Sequence, residues 1–139
     1  MIHKARKHAD AVHAAWLEPG QAYVPGGMFL GWAIGAGLGN DEEFAATSGL
    51  VDRFLGREIT GPQLFETLSG TLDDETLDET GYAFAEAYFG WGSDQYFTDY
   101  GRILGTGSAS VWHVEDTWEN FDLLRPRLDE RFRAWSAPA

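Results

Sequence analysis

The chain has 139 residues, no cysteine, 44% hydrophobic and 14% aromatic residues, and a net charge of −12. That length suits one domain over residues 1–139, and the lack of thiols excludes disulfides, thiolate nucleophiles and sulfur metal sites. Fourteen of the 22 acids lie in residues 41–99 against only Arg53 and Arg57, a field that repels nucleic acid and membrane phosphates and attracts basic partners.

Read in chain order, residues 4–17 predict a first helix. Ala5, Ala9, Val12 and Trp16 repeat at 3.6-residue spacing, and Pro19-Gly20 stops the run. Residues 19–40 carry no charge, with Gly27, Gly31, Gly35 and Gly39 at every fourth position. Such small-residue spacing brings helices close together in membranes. Here, however, Pro25 and Gly26-Gly27 break the stretch and leave a helix over residues 27–38, roughly 18 Å long against a bilayer core of about 30 Å. A buried, closely packed helix is therefore expected, with no membrane span and no secretory signal, and the protein is placed in the cytoplasm. If the glycine ridge does not serve the chain's own core, it is an oligomerisation face, so the oligomeric state stays open.

A third helix is predicted over residues 41–55, with Phe44, Val51 and Phe54 on one face and its leading acids at the positive end of the helix dipole. Thr60-Gly61-Pro62-Gln63 has capping-box spacing and starts a short helix bearing Leu64, Phe65 and Leu68. Longer helices follow at about 74–90 and 94–104. Residues 105–110 read as a flexible linker and 110–114 as a brief extended piece. Asp116, with Glu119 three residues on, predicts the cap of the final helix. That helix has Trp118, Phe121, Leu128, Phe132 and Trp135 on one stripe, and a kink or restart near Arg125 imposed by Pro126. The expected fold is all-α: a single compact domain of about six helices with an aromatic core and a short extended piece before the last helix.

Three strings, Gly27-Met28-Phe29-Leu30-Gly31-Trp32-Ala33-Ile34, Gly81-Tyr82-Ala83-Phe84-Ala85 and Trp112-His113-Val114-Glu115-Asp116-Thr117-Trp118-Glu119-Asn120-Phe121, are the most distinctive. Together they make the chain, from about residue 26 to 135, resemble a family of short uncharacterised bacterial cytosolic proteins, classed as a domain of unknown function. Pro25 stands where that family has a histidine. The resemblance implies a soluble, helical bacterial protein and brings no activity with it.

His113, Glu115 and Asp116 are the densest set of catalytic residue types. In an extended segment His113 and Glu115 face the same way and can act as an acid–base pair or share a metal, with Asp99 or Glu86 completing the site. The competing reading assigns Asp116 to a helix cap and the flanking tryptophans to packing. His3, His8 and His13 do not form a metal face, because successive members diverge by roughly 140° around a helix; they read as solvated. Asp73, Asp74, Glu75, Asp78 and Glu79 place five acids in seven positions without the glycine and alternating ligands of a calcium loop. Gly105-x-Gly107 lacks the Lys-Ser/Thr of a phosphate loop. Neither metal nor cofactor is expected.

The function expected from these residues is a non-enzymatic acidic binding module that docks a basic protein through the acidic field of residues 41–99, with Asp73, Asp74, Glu75, Asp78 and Glu79 as its first contacts, in its most concrete form an immunity-type antidote to a toxin. The alternative is a small metal-dependent or acid–base hydrolase using His113, Glu115 and Asp116.

Overall fold

The computed structural model describes residues 2–105 and 110–137, apart from the side chains of Ala46 and Ser48. Where periodicity predicted a helix from residue 4, the chain instead starts with a strand. β1 (His3–Lys4) pairs antiparallel with β2 (Thr71–Leu72), His3 opposite Leu72. The flanking Ile2 and Ala5 amides donate to the Leu72 and Gly70 carbonyls, both at 2.8 Å. Ala5–His8 winds as a 3-10 turn and only Ala9–Ala14 (α1) is α-helical. Trp16, counted in the 3.6-residue repeat, has a left-handed φ of 61° and is 96% exposed.

After a 3-10 turn at Pro19–Tyr23 comes α2 (Val24–Gly35), whose first ten residues are all buried. A helix apolar all round belongs at the centre of a domain. Pro25 lies in its first turn, where a missing N–H costs nothing. The helix therefore runs 24–35, and Pro25 does not break it. The predicted 41–55 helix is three pieces: α3 (Asp41–Phe44), a 3-10 turn at Ala45–Thr47, and α4 (Ser48–Leu55). α5 (Gly61–Leu68) carries the predicted capping box. Thr60 Oγ1 accepts from the Gln63 amide at 3.3 Å, and the Thr60 amide donates to Gln63 Oε1 at 2.9 Å.

The rest of the chain forms α6 (Glu79–Tyr88), α7 (Tyr96–Leu104) and α8 (Trp118–Ser136), making eight α-helices among the described residues instead of six. α6 starts five residues later than predicted, because residues 73–78 form a turn. Residues 110–114 are not an extended piece. Ser110 Oγ accepts from the Trp112 amide at 3.2 Å and caps a 3-10 turn at Val111–His113. Thr117, and not Asp116, caps α8, accepting from the Asn120 amide at 3.1 Å. α8 is one continuous helix through Pro126, so of the expected kink or restart the restart does not occur. Of the predicted linker, residues 106–109 lie outside the described residues. No helix among the described residues is long and apolar enough to cross a membrane.

The glycine ridge is the contact between α2 and α5 at two of its four positions. A Cβ on Gly27 would lie 2.3 Å from Pro62 Cα, and one on Gly31 would lie 2.9 Å from Phe54 Cζ and 3.4 Å from Gly61 Cα. Gly35 meets nothing within 4 Å, and Gly39 lies beyond the helix. On another side of α2, Phe29 packs among Trp32, Phe84, Tyr88, Phe89 and Tyr96, with ring centroids 5.4–6.5 Å apart. α8 closes this cluster: Phe132 lies 5.8 Å from Trp32 and 5.2 Å from Phe84, and Trp32 Nε1–H donates to Asp129 Oδ1 at 2.8 Å. The expected aromatic core is present.

Asp99, counted with the acidic field and offered as a partner for His113, is neither. It is fully buried. Its Oδ2 accepts from the Tyr88 hydroxyl at 2.5 Å and Arg131 Nε at 2.8 Å, and its Oδ1 from Arg131 Nη2 at 3.0 Å and Arg127 Nη1 at 3.1 Å. Burial opposes ionisation of this carboxyl, but Arg131, Tyr88 and Arg127 overcome it and hold the pKa below the ordinary value.

His3 and His8 also depart from expectation. The strand pairing buries His3 to 6% exposure, and its ring stacks on His8 at 5.3 Å, while His8 lies 4.6 Å from Trp112. Only His13 of the three is exposed. Burial, followed by His8 and Lys7, lowers the His3 pKa to about 3, so the folded chain keeps this ring neutral where the unfolded chain binds a proton. The stability this gives is fully present above pH 6.5 and is lost as pH falls towards 3. Between pH 7 and pH 5 the loss from His3 alone is about 2 kcal/mol. Urea unfolding at both pH values should show that difference in the native chain and lose it in His3→Leu, whatever the variant's absolute stability. An equal pH dependence in both would show that His3 protonates freely in the folded state.

Candidate functional site: an acidic face around Asn40

α2 ends where Gly37 adopts a left-handed φ of 78° and the Leu38 amide reaches back to the Ala33 carbonyl at 2.8 Å. This stop sends residues 38–40 along the 73–78 turn. The Asn40 amide donates to the Thr76 carbonyl at 3.1 Å, the Asp78 amide donates to the Leu38 carbonyl at 2.9 Å, and Gly39 bridges Leu77. Gly81 completes the fit, since a Cβ there would lie 2.6 Å from the Leu38 carbonyl oxygen.

Asn40 joins the two acidic runs. Its Nδ2 donates to the Asp74 carbonyl at 2.7 Å, and its Oδ1 accepts from the Glu43 amide at 3.1 Å, capping α3. Asp41, Glu42 and Glu43 thereby come to lie beside Asp74, Glu75 and Glu79, and all six are exposed. Glu43 and Glu75 line one shallow hollow. A larger cavity of about 400 Å³ lies between Asn40, Asp74, Leu77, Asp78, Glu79 and Tyr82, so carboxylates rim an opening whose wall includes a buried leucine and a tyrosine ring.

The five acids singled out from the sequence divide into two kinds. Asp73 folds onto its own turn, Oδ1 accepting from the Glu75 amide and Oδ2 from the Thr71 hydroxyl, both at 3.0 Å. Asp78 caps α6, accepting from the Gly81 amide at 2.7 Å. Asp74, Glu75 and Glu79 are the three left facing solvent. Asp41, Glu42 and Glu43 were counted in the acidic field, but the joining role of Asn40 was missed, although asparagine followed three residues later by glutamate is a helix-start signal visible in the sequence.

His113, Glu115 and Asp116 are engaged separately. The 3-10 turn removes the alternation that would align His113 with Glu115, and His113 Nδ1 shares a hydrogen bond with Ser110 Oγ at 2.8 Å. Glu115 is exposed, and so is Glu86. Asp116 accepts from Thr60 Oγ1 at 2.6 Å, tying the start of α8 to the start of α5. Burial raises the Asp116 pKa against the opposing effect of that hydrogen bond, and its buried Oδ1 has no partner among the described residues. No group of three or more His, Cys, Asp or Glu among the described residues is arranged to hold a metal ion.

A family model described as a domain of unknown function, DUF7832, matches residues 1–114. The chain belongs to this family. The DUF7832 match takes in the strings at 27–34 and 81–85 and stops at Val114, three residues into the third, so it both begins and ends earlier than the 26–135 resemblance. It covers every residue of the acidic face and excludes α8. No curated protein and no solved structure matches the chain.

Proposed function

We propose that this chain is a non-enzymatic binding module of the bacterial cytoplasm that docks a basic protein on its acidic face, as an immunity-type antidote docks on a toxin. The observation behind this reading is the Asn40 junction, which joins two exposed acidic runs and has Asp74 and Glu79 at the rim of a cavity with an apolar wall. A lysine or arginine side chain matches that cavity, its stem against Leu77 and Tyr82 and its charge among Asp74 and Glu79. The remaining acids steer the encounter and cover the cationic groove of a target such as a nuclease. Asp73 and Asp78 contribute by shaping the turn.

The test is capture of the partner from the native host, followed by stopped-flow association at low and high salt. The captured protein should be basic, and salt should slow its association. Asp74→Asn, Glu75→Gln and Glu79→Gln together should lower the on-rate about tenfold or more with the fold intact. Asp78→Asn should affect binding much less. An acidic partner, or association indifferent to salt and to the triple substitution, would refute the reading.

A further inference from the structure

A separate cavity of about 220 Å³ lies where the N-terminal segment meets the loop between α6 and α7, and no carboxylate lines it. Lys4, Lys7, His8 and the buried His3 contribute its polar groups, and Phe89, Trp91 and Phe97 its rings. Neither lysine has an ion-pair partner among the described residues, although the chain as a whole carries twelve excess negative charges. Trp91, one of the lining residues, stacks one face on Phe97 at 4.1 Å with the planes 6° apart and is still 58% exposed, so much of the indole remains accessible.

We propose that this cavity binds a small organic phosphate bearing a single planar ring, with the ring against Trp91 and the phosphate between Lys4 and Lys7. Two uncompensated ammonium groups match a dianion and supply several N–H donors to its oxygens. The indole gives a flat apolar surface suited to ring stacking. The volume is below the roughly 300–1,000 Å³ of pockets that take drug-sized ligands, which limits the ligand to one ring. The cavity shares no residue with the acidic face, so the two sites stand or fall separately.

Isothermal titration of the full chain with phenyl phosphate, inorganic phosphate and phenol tests the assignment. Phenyl phosphate should bind saturably, and each half-ligand about tenfold or more weaker. Lys7→Glu should weaken phenyl phosphate binding about tenfold or more at an unchanged melting temperature, because Lys7 is exposed and unpaired. Lys4→Gln provides a second charge variant. Trp91→Ala should reduce phenyl phosphate to the affinity of inorganic phosphate. No saturable binding in the native chain, undiminished binding in both lysine variants, or equal binding of phosphate and phenyl phosphate would overturn the proposal.

Discussion

Asp99→Asn should lower the unfolding free energy by about 3 kcal/mol, the low end of the roughly 3–5 kcal/mol lost when one partner of a buried ion pair is removed. The carboxylate is fully buried, and two guanidinium groups and a phenol depend on it. Asparagine keeps an acceptor for the Tyr88 hydroxyl but brings no charge to Arg127 and Arg131. Those side chains are 34% and 24% exposed, so water can recover part of their solvation and the loss falls at the lower end. Urea unfolding should show a lower midpoint at an unchanged slope. A loss below about 0.5 kcal/mol, the scale of an exposed pair, would mean that water already screens the cluster.

Gly27→Ala should be the next most damaging small change. The added methyl would lie 2.3 Å from Pro62 Cα and 2.7 Å from its nitrogen, so the first turn of α5 has to move. About 1–3 kcal/mol is expected, against the gain that alanine normally brings to a helix. Gly31→Leu meets Phe54 and Gly61 and should act in the same direction. Gly35→Ala meets nothing and should be neutral or stabilising by up to about 1 kcal/mol. Matching melting temperatures for Gly27→Ala and Gly35→Ala would show that α2 and α5 are not in backbone contact.

The helical class and several of its details were legible because they are local. The Thr60-Gly61-Pro62-Gln63 signal is complete within four residues, and it forms as read. The dense glycine spacing correctly announced a close neighbour, although only Gly27 and Gly31 meet it. Errors arose where a residue had two local uses and a distant partner decided between them. Asp116 and Thr117 are both good helix caps, and Glu119 favoured Asp116; the Thr60 hydroxyl claimed Asp116 and left the cap to Thr117. Asp74 and Glu75 suit a helix start, but Asp73 and Thr76 bond to the backbone of their own turn and delay α6 until Asp78. The burial of His3 depends on pairing with Leu72, and no pattern near residue 3 encodes that.

The acidic face was half legible. Charge counting found its carboxylates, whereas their assembly needs Asn40 to reach Asp74 across 34 residues. The same counting placed Asp99 on the surface, because a buried carboxylate and an exposed one look alike until Arg127 and Arg131 are seen beside it.

The position of α8 also constrains how the chain is made. Translation releases residues in order, at about 5–20 per second, and folding proceeds from the N-terminal side as they emerge. Tyr88, Asp99 and the rings around Trp32 all leave the ribosome before Arg127, Arg131 and Phe132 exist to meet them. Until then Asp99 cannot enter the interior in its ionised form without an uncompensated charge, and Phe84 and Trp32 lack the rings that cover them. The nascent chain therefore waits with an open aromatic surface beside a hydrated carboxylate. Synthesis of α8 supplies the two guanidinium groups and the ring that close it.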